Sequence, residues 1–109
     1  MALALNVFKT ITQVVPEAQI VVYTAPVGYT GVVLLSQIAN IGSNSQTATF
    51  IHRRSSTDTE IVKDYPIAAN DTLSLLSGKL VLESGDRLLV YGSSATDLKF
   101  IASILETLN

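Results

Sequence analysis

Apolar and polar residues alternate with a period of two along much of this chain, in runs broken by Gly, Pro, Asn and Ser. That period belongs to half-buried β-strands. In Asn6–Val15, Val7, Ile11 and Val15 fall on one side, and Phe8, Thr10 and Thr12 on the other. Pro16-Glu17-Ala18 breaks the run, because proline has no N–H to give a ladder. Gln19–Thr24 is β-branched and aromatic, a strand by type. Pro26-Val27-Gly28 signals a turn. Thr30–Ile41 is the longest strand candidate, with Val32 and Leu34 on one face and Val33 and Leu35 on the other. A sandwich buries only one face of each sheet, so the second apolar face is expected to meet another subunit. Gln46–Arg54 alternates again, with Ala48, Phe50 and His52 against Thr47, Thr49 and Ile51. Ser55–Thr59 is an exposed tip, and Glu60–Tyr65 is a short strand ended by Pro66.

Tyr65–Tyr91 holds three further apolar runs, Thr72–Leu76, Leu80–Glu83 and Arg87–Tyr91, parted by Ser77-Gly78 and Ser84-Gly85-Asp86. Breaks this short suit antiparallel neighbours, which predicts a three-stranded meander. Thr96–Leu108 fits two patterns. Leu98, Ile101, Ala102, Leu105 and Leu108 make a helical stripe, while Leu98, Phe100, Ala102 and Ile104 make a strand face. The short gap after Tyr91 continues the rhythm of strands, and a strand is the expectation. The whole predicts an all-β fold, a single antiparallel sandwich or jelly-roll-like domain of about eight strands. It would span residues 6–109, with residues 1–5 as an apolar arm.

Composition changes this picture in one respect. The chain has 109 residues, 48% of them hydrophobic and only 15% charged, where soluble domains carry about 25% charged residues. Part of the surface is therefore expected to be covered by other subunits. Absence of cysteine excludes disulfides and thiolate metal sites. A net charge of -2 gives no basic field for nucleic acid. Apolar runs such as Val32–Leu35 are far short of a membrane span. The start MALALNVF lacks the basic region of a signal peptide, so synthesis and folding in the cytoplasm are expected.

Candidate chemistry is sparse. His52 is the sole histidine, so a metal site needing several imidazoles is excluded. A Ser-His-Asp triad through His52 would lack the G-x-S-x-G elbow. His52-Arg53-Arg54 is the main basic cluster. It suits a phosphate or an acidic partner surface, although a solvated strand end or an intersubunit salt bridge is the simpler reading. Gly78-Lys79 fails as a phosphate loop, because Leu73 and Leu80 stand where Gly and Ser or Thr are needed. The acidic residues are scattered, and Asp86 suits a turn. Asn70-Asp71-Thr72 matches a glycosylation sequon but reads more simply as a turn. No catalytic set, metal or cofactor is expected. The candidate interface residues are Leu3, Leu5, Val33, Leu35, His52, Arg53 and Arg54.

Two stretches carry a family resemblance. Val21–Arg54 runs VVYTAPVGYTGVVLLSQIANIGSNSQTATFIHRR, and Leu76–Glu106 contains Leu-Val-Leu-Glu-Ser-Gly-Asp, a strand, a small polar turn and a final strand. The chain resembles the small β-sandwich virion proteins of tailed bacteriophages, in wording close to structural proteins of cyanophages. The resemblance implies a particle component without enzymatic residues, made in the host cytoplasm and located in the virion. It implies other virion proteins as partners, the major capsid protein first, and a homo-oligomer, in the first instance a trimer. Capsid decoration or cement is the leading role, with a neck, tail or baseplate accessory as the alternative. A carbohydrate-binding module of a host-recognition device is the alternative from another class, served by scattered tyrosines but no tryptophan. A hydrolase comes last.

Overall fold

A computed structural model describes residues 5–109. Nine strands form two antiparallel sheets: β1 (Asn6–Val14), β2 (Ile20–Thr24), β3 (Tyr29–Asn40), β4 (Gln46–Arg54), β5 (Thr57–Ile67), β6 (Thr72–Ser74), β7 (Leu80–Leu82), β8 (Arg87–Gly92) and β9 (Leu98–Leu108). The first sheet has the order β1-β9-β3-β6, with β7 also on β3; the second has β2-β8-β4-β5. The all-β sandwich expected from the alternation is the fold, and the last apolar stretch is a strand. Among the described residues there is no helix.

Each strand turns its alternate residues into a shared core. On β9 these are Leu98, Phe100, Ala102 and Ile104, all buried. Val33 and Ile38 come from β3, Ala48 and Phe50 from β4, and Leu88 and Val90 from β8. Phe50 of one sheet meets Phe100 of the other, ring centroids 5.8 Å apart and tilted by 35°. Burying each such side chain stabilises the fold by roughly 1.5–3 kcal/mol before ordering costs. Three of the core positions come from outside the strands, Val15, Ala25 and Leu75.

The meander does not form. β6 and β7 both pair antiparallel with β3, Thr72–Ser74 against Gln37–Ala39 and Leu80–Leu82 against Gly31–Val33. They are two halves of one edge, parted by residues 75–79. Leu75 leaves the edge to enter the core, its N–H bonded to the Ser36 carbonyl at 2.9 Å. Ser77-Gly78 lies in that excursion. After β7 the chain crosses to the other sheet, where β8 pairs with β2 and β4. A tight break can make a corner as well as a hairpin: three or four extended residues reach about 10–14 Å, enough to cross the roughly 10 Å between packed sheets. Only β4 and β5 form a hairpin of consecutive strands among the described elements. Its turn is Ser55-Ser56, with Ser55 at φ 55°. β5 also runs on through Pro66 to Ile67, because it is an edge strand, where a missing N–H need not break a ladder.

The corner between β7 and β8 depends on Gly85. Asp86 N–H closes the turn onto the Glu83 carbonyl at 2.9 Å, with Gly85 at φ 87°. A Cβ on Gly85 would meet nothing within 4 Å, so any penalty there is conformational. Gly85→Val is expected to destabilise the domain by on the order of 1–3 kcal/mol, read as a lower denaturant midpoint. An unchanged midpoint would rule out a positive-φ requirement.

Candidate interaction surface

The outer face of the β1-β9-β3 sheet is apolar. Register alone places Phe8, Leu105, Val32 and Val81 side by side in one row across four strands. Paired residues point to the same face of a sheet, and Phe8 and Val81 are 75% and 56% exposed. Ile101 and Val14 extend the patch. The register shifts between Val33 and Leu35. This bulge leaves Val33 in the core and both Leu34 and Leu35 exposed. Val33 is therefore no interface residue: simple alternation put it with Leu35, and the bulge separates them. Leu35 does lie on the outer face, beside Ser103. On that face the strand residues of β1, β9 and β3 carry a single charge, Lys99. A shallow groove lined by Thr12, Val14, Gln37, Ala39, Lys99 and Ile101 continues it. Of the two arm residues named from sequence, Leu3 lies outside the described residues. Leu5 is exposed, its carbonyl accepting the Leu108 N–H.

The missing charges have gone inward or to the rim. Glu106 continues the core-facing column of β9 and is buried. Tyr23 donates its hydroxyl to Glu106 across the sandwich, and Lys9 Nζ lies 3.3 Å from the same carboxylate. Burial first, then the hydrogen bond and charge of Glu106, push the Tyr23 hydroxyl above its ordinary pKa. Gly31 makes the room: a Cβ there would sit 3.3 Å from the Tyr23 hydroxyl.

The basic cluster is drawn together at the rim. The core-facing column of β4 runs Ala48, Phe50, His52, Arg54, and the Gly85 corner sets Asp86 against its end. Arg54 grips Asp86 with two bonds, Nε to Oδ1 at 2.9 Å and Nη2 to Oδ2 at 2.7 Å. His52 Nε2 lies 3.0 Å from Oδ2, and the Glu83 N–H donates to it at 2.9 Å. Arg54 also reaches Glu83 at 3.0 Å. Asp86 is buried while Arg54 is half exposed. Arg53 turns to the outer face of its sheet and pairs with Asp58. So His52 and Arg54 meet the one carboxylate, and Arg53 stands apart. The arrangement is a latch of charges. No group of three metal-ligating side chains occurs among the described residues. Among the described residues no helix is long and apolar enough to cross a membrane.

Phe8, Val81, Ile101 and Val14 were not singled out from sequence. The alternation in β1 did place Phe8 opposite Val7 and Ile11, and that was the available signal.

No family model matches the chain, and no curated protein matches it in sequence. Solved structures of the same fold do. A chain of the capsid of Helicobacter pylori bacteriophage KHP30 superposes with a TM-score of 0.57 at 11% identity, covering 96% of this chain and 89% of that one. A chain of the disulfide-linked pili that form Bacillus endospore appendages gives 0.55 at 14%, covering 95% and 88%. A chain of the IBDV viral particle gives 0.56 at 10%, covering 97% of this chain but 32% of that one. At these identities the likeness is one of fold. The likeness in wording to cyanophage proteins finds no counterpart among these matches.

The Arg54 guanidinium, foremost among its partners, holds the Asp86 carboxyl well below the usual carboxylate range, with His52 and the Glu83 N–H adding to it and burial opposing. A depressed folded-state pKa stabilises the fold above the unfolded value, near pH 4, and that contribution is lost as pH falls further. Asp86→Asn is expected to destabilise by on the order of 1–3 kcal/mol at neutral pH. It should also flatten the loss of stability below about pH 4. Denaturant titrations at several pH values check both, and a variant with the native acid profile would count against the latch.

Proposed function

We propose that this protein is a structural component of a bacteriophage particle, a capsid decoration or cement protein that lays the outer face of its β1-β9-β3 sheet on the shell. The observation that carries this reading is the apolar row Phe8–Leu105–Val32–Val81 with Leu34 and Leu35, half-buried at Leu105 and Val32 and exposed elsewhere, on a sheet that holds one outward charge among its three main strands. Contiguous exposed apolar surface of this kind marks a protein interaction site.

The fold likeness supports the setting. The KHP30 capsid chain is covered almost end to end by this one, so the two are similar in length, and a component of that size occurs in a phage capsid as a single small sandwich. The IBDV match covers about a third of a much larger chain. The pilus subunits are disulfide-linked, whereas this chain has no cysteine and could not be joined that way. The partners proposed are other virion proteins, the major capsid protein first. The contact is one of packing and needs no catalysis, so we assign no enzymatic role.

Two measurements test the reading. Quantitative staining of purified particles is expected to show the protein at high copy number, as shell decoration requires; a handful of copies would move it to the neck, tail or baseplate. Val81→Lys is expected to weaken binding to undecorated shells at least about tenfold, the equivalent of about 1.4 kcal/mol, with the β signal intact. Undiminished binding would show that another surface makes the contact.

A further inference from the structure

Two sheets have four edges, and three of them are blunted. β5 carries Pro66, two register shifts and Asp64 at φ 46°. β2 is five residues long with a shift between Val21 and Tyr23. The β6–β7 edge is interrupted by residues 75–79. Prolines, bulges and short strands are the devices that keep a sheet edge from pairing. β1 has none of them. Its nine residues hold one unbroken register with β9, from Asn6↔Thr107 to Val14↔Lys99.

The hydrogen-bond phase shows which residues face the open side. Leu108 N–H donates to the Leu5 carbonyl at 2.8 Å and Val15 N–H to the Leu98 carbonyl at 2.9 Å. In an antiparallel ladder bonded pairs alternate with unbonded ones. The odd-numbered residues therefore bond β9, and Asn6, Phe8, Thr10, Thr12 and Val14 present their N–H and C=O groups outward. All five are exposed. The Val14 carbonyl already accepts the Gln13 side-chain amide at 2.9 Å, as an orphan acceptor would. A charge is the remaining protection available to an edge, and β1 has one, Lys9. Its Nζ is directed at buried Glu106 on the core side, which leaves the outward positions Phe8, Thr10, Thr12 and Val14 without a charge among them.

We propose that β1 is a pairing edge and that its partner is β1 of a second copy of this chain, antiparallel about a two-fold axis at Ile11. Only even-numbered residues can form the bonded pairs. An axis at Ile11 sets Phe8 opposite Val14 of the other copy and Thr10 opposite Thr12. Aromatic with β-branched, and Thr with Thr, are favourable cross-strand pairs. Between them Lys9 faces Gln13 and Ile11 faces its own counterpart, so no like charges oppose. An axis at Thr10 would set Phe8 against Thr12 and Asn6 against Val14, leaving Val14 and Phe8 without apolar partners. The self-complementarity of the Ile11 register argues for a second copy over an unrelated strand. The result is a single sheet running through both copies, with the two apolar outer faces side by side. A two-fold pair replaces the trimer expected from sequence. The inference stands on the free protein and does not rest on the particle reading.

Sedimentation equilibrium of the purified protein tests it. The native chain is expected to show a reversible dimer at ~100 μM. Thr10→Pro removes an outward N–H and no bond to β9, so it should leave the circular dichroism spectrum native and the protein monomeric. Phe8→Lys with Val14→Lys places like charges opposite twice and should also give a monomer; Phe8→Lys with Val14→Glu should restore the dimer. Val81→Lys lies on the outer face away from this edge and should leave dimerisation unchanged. The proposal is overturned by a native monomer at that concentration, by a trimer, or by a dimer that survives Phe8→Lys with Val14→Lys. A dimer abolished by Val81→Lys overturns it too, since the outer face would then be the contact. If Thr10→Pro fails to fold, the paired charge variants decide alone.

Discussion

The first sheet exists because its last strand lies between its first and third. β9 bonds β1 along one side and β3 along the other, over almost its whole length. Nothing local can replace that arrangement. β1 and β9 are some ninety residues apart in the chain, so the sheet closes only once β9 has been made. Topologies dominated by such distant pairings fold slowly for their size, because loop entropy is lost before the contacts reward it. The core inherits this dependence, since Phe100 of β9 is what Phe50 of the other sheet packs against.

The central strand also decides where polarity goes. Its period of two sends Phe100, Ala102 and Ile104 inward, and Glu106 with them. A buried carboxylate is costly unless it is paired and hydrogen-bonded, and Tyr23 and Lys9 meet that need from two different strands. The opposite phase sends Ile101 and Leu105 outward, where they join Phe8, Val32 and Val81. The chain thus spends one of its few charges inside and leaves an apolar face outside. That distribution is poor for a solitary protein and good for one that lives packed against neighbours. The other sheet is built differently, with Arg53, Asp58 and Arg87 together on its outer side.

The Asp86 latch sits where the chain changes sheets. Gly85 allows the corner, Asp86 takes the Glu83 N–H within it, and Arg54 and His52 reach over from the end of β4. The basic cluster that looked most like a recognition site in sequence is largely occupied by this internal work. Arg54 keeps about half its surface in water, but its guanidinium is already shared between Asp86 and Glu83. The sequence held both halves of the latch, a basic triplet and a Gly-Asp turn. It held no sign that they meet.

What the sequence determined by itself was local. Through alternation, residue type and turn rhythm the sequence marked a segment for each of the nine strands, β4 to the residue, against an expected total of about eight, because side-chain alternation and turn sterics act over a few residues. It also showed that β3 has too much apolar surface for one core. What the tertiary structure decided was partnership. Breaks at Ser77-Gly78 and Ser84-Gly85-Asp86 are as compatible with an edge excursion and a corner as with hairpins, and the choice lies with strands far away in the chain. The bulge after Val33 is likewise a product of pairing, and it alone sends Val33 to the core and Leu34 with Leu35 to the surface. Alternation says that a strand has two faces; only its neighbours say which face is inside and which edge is left open.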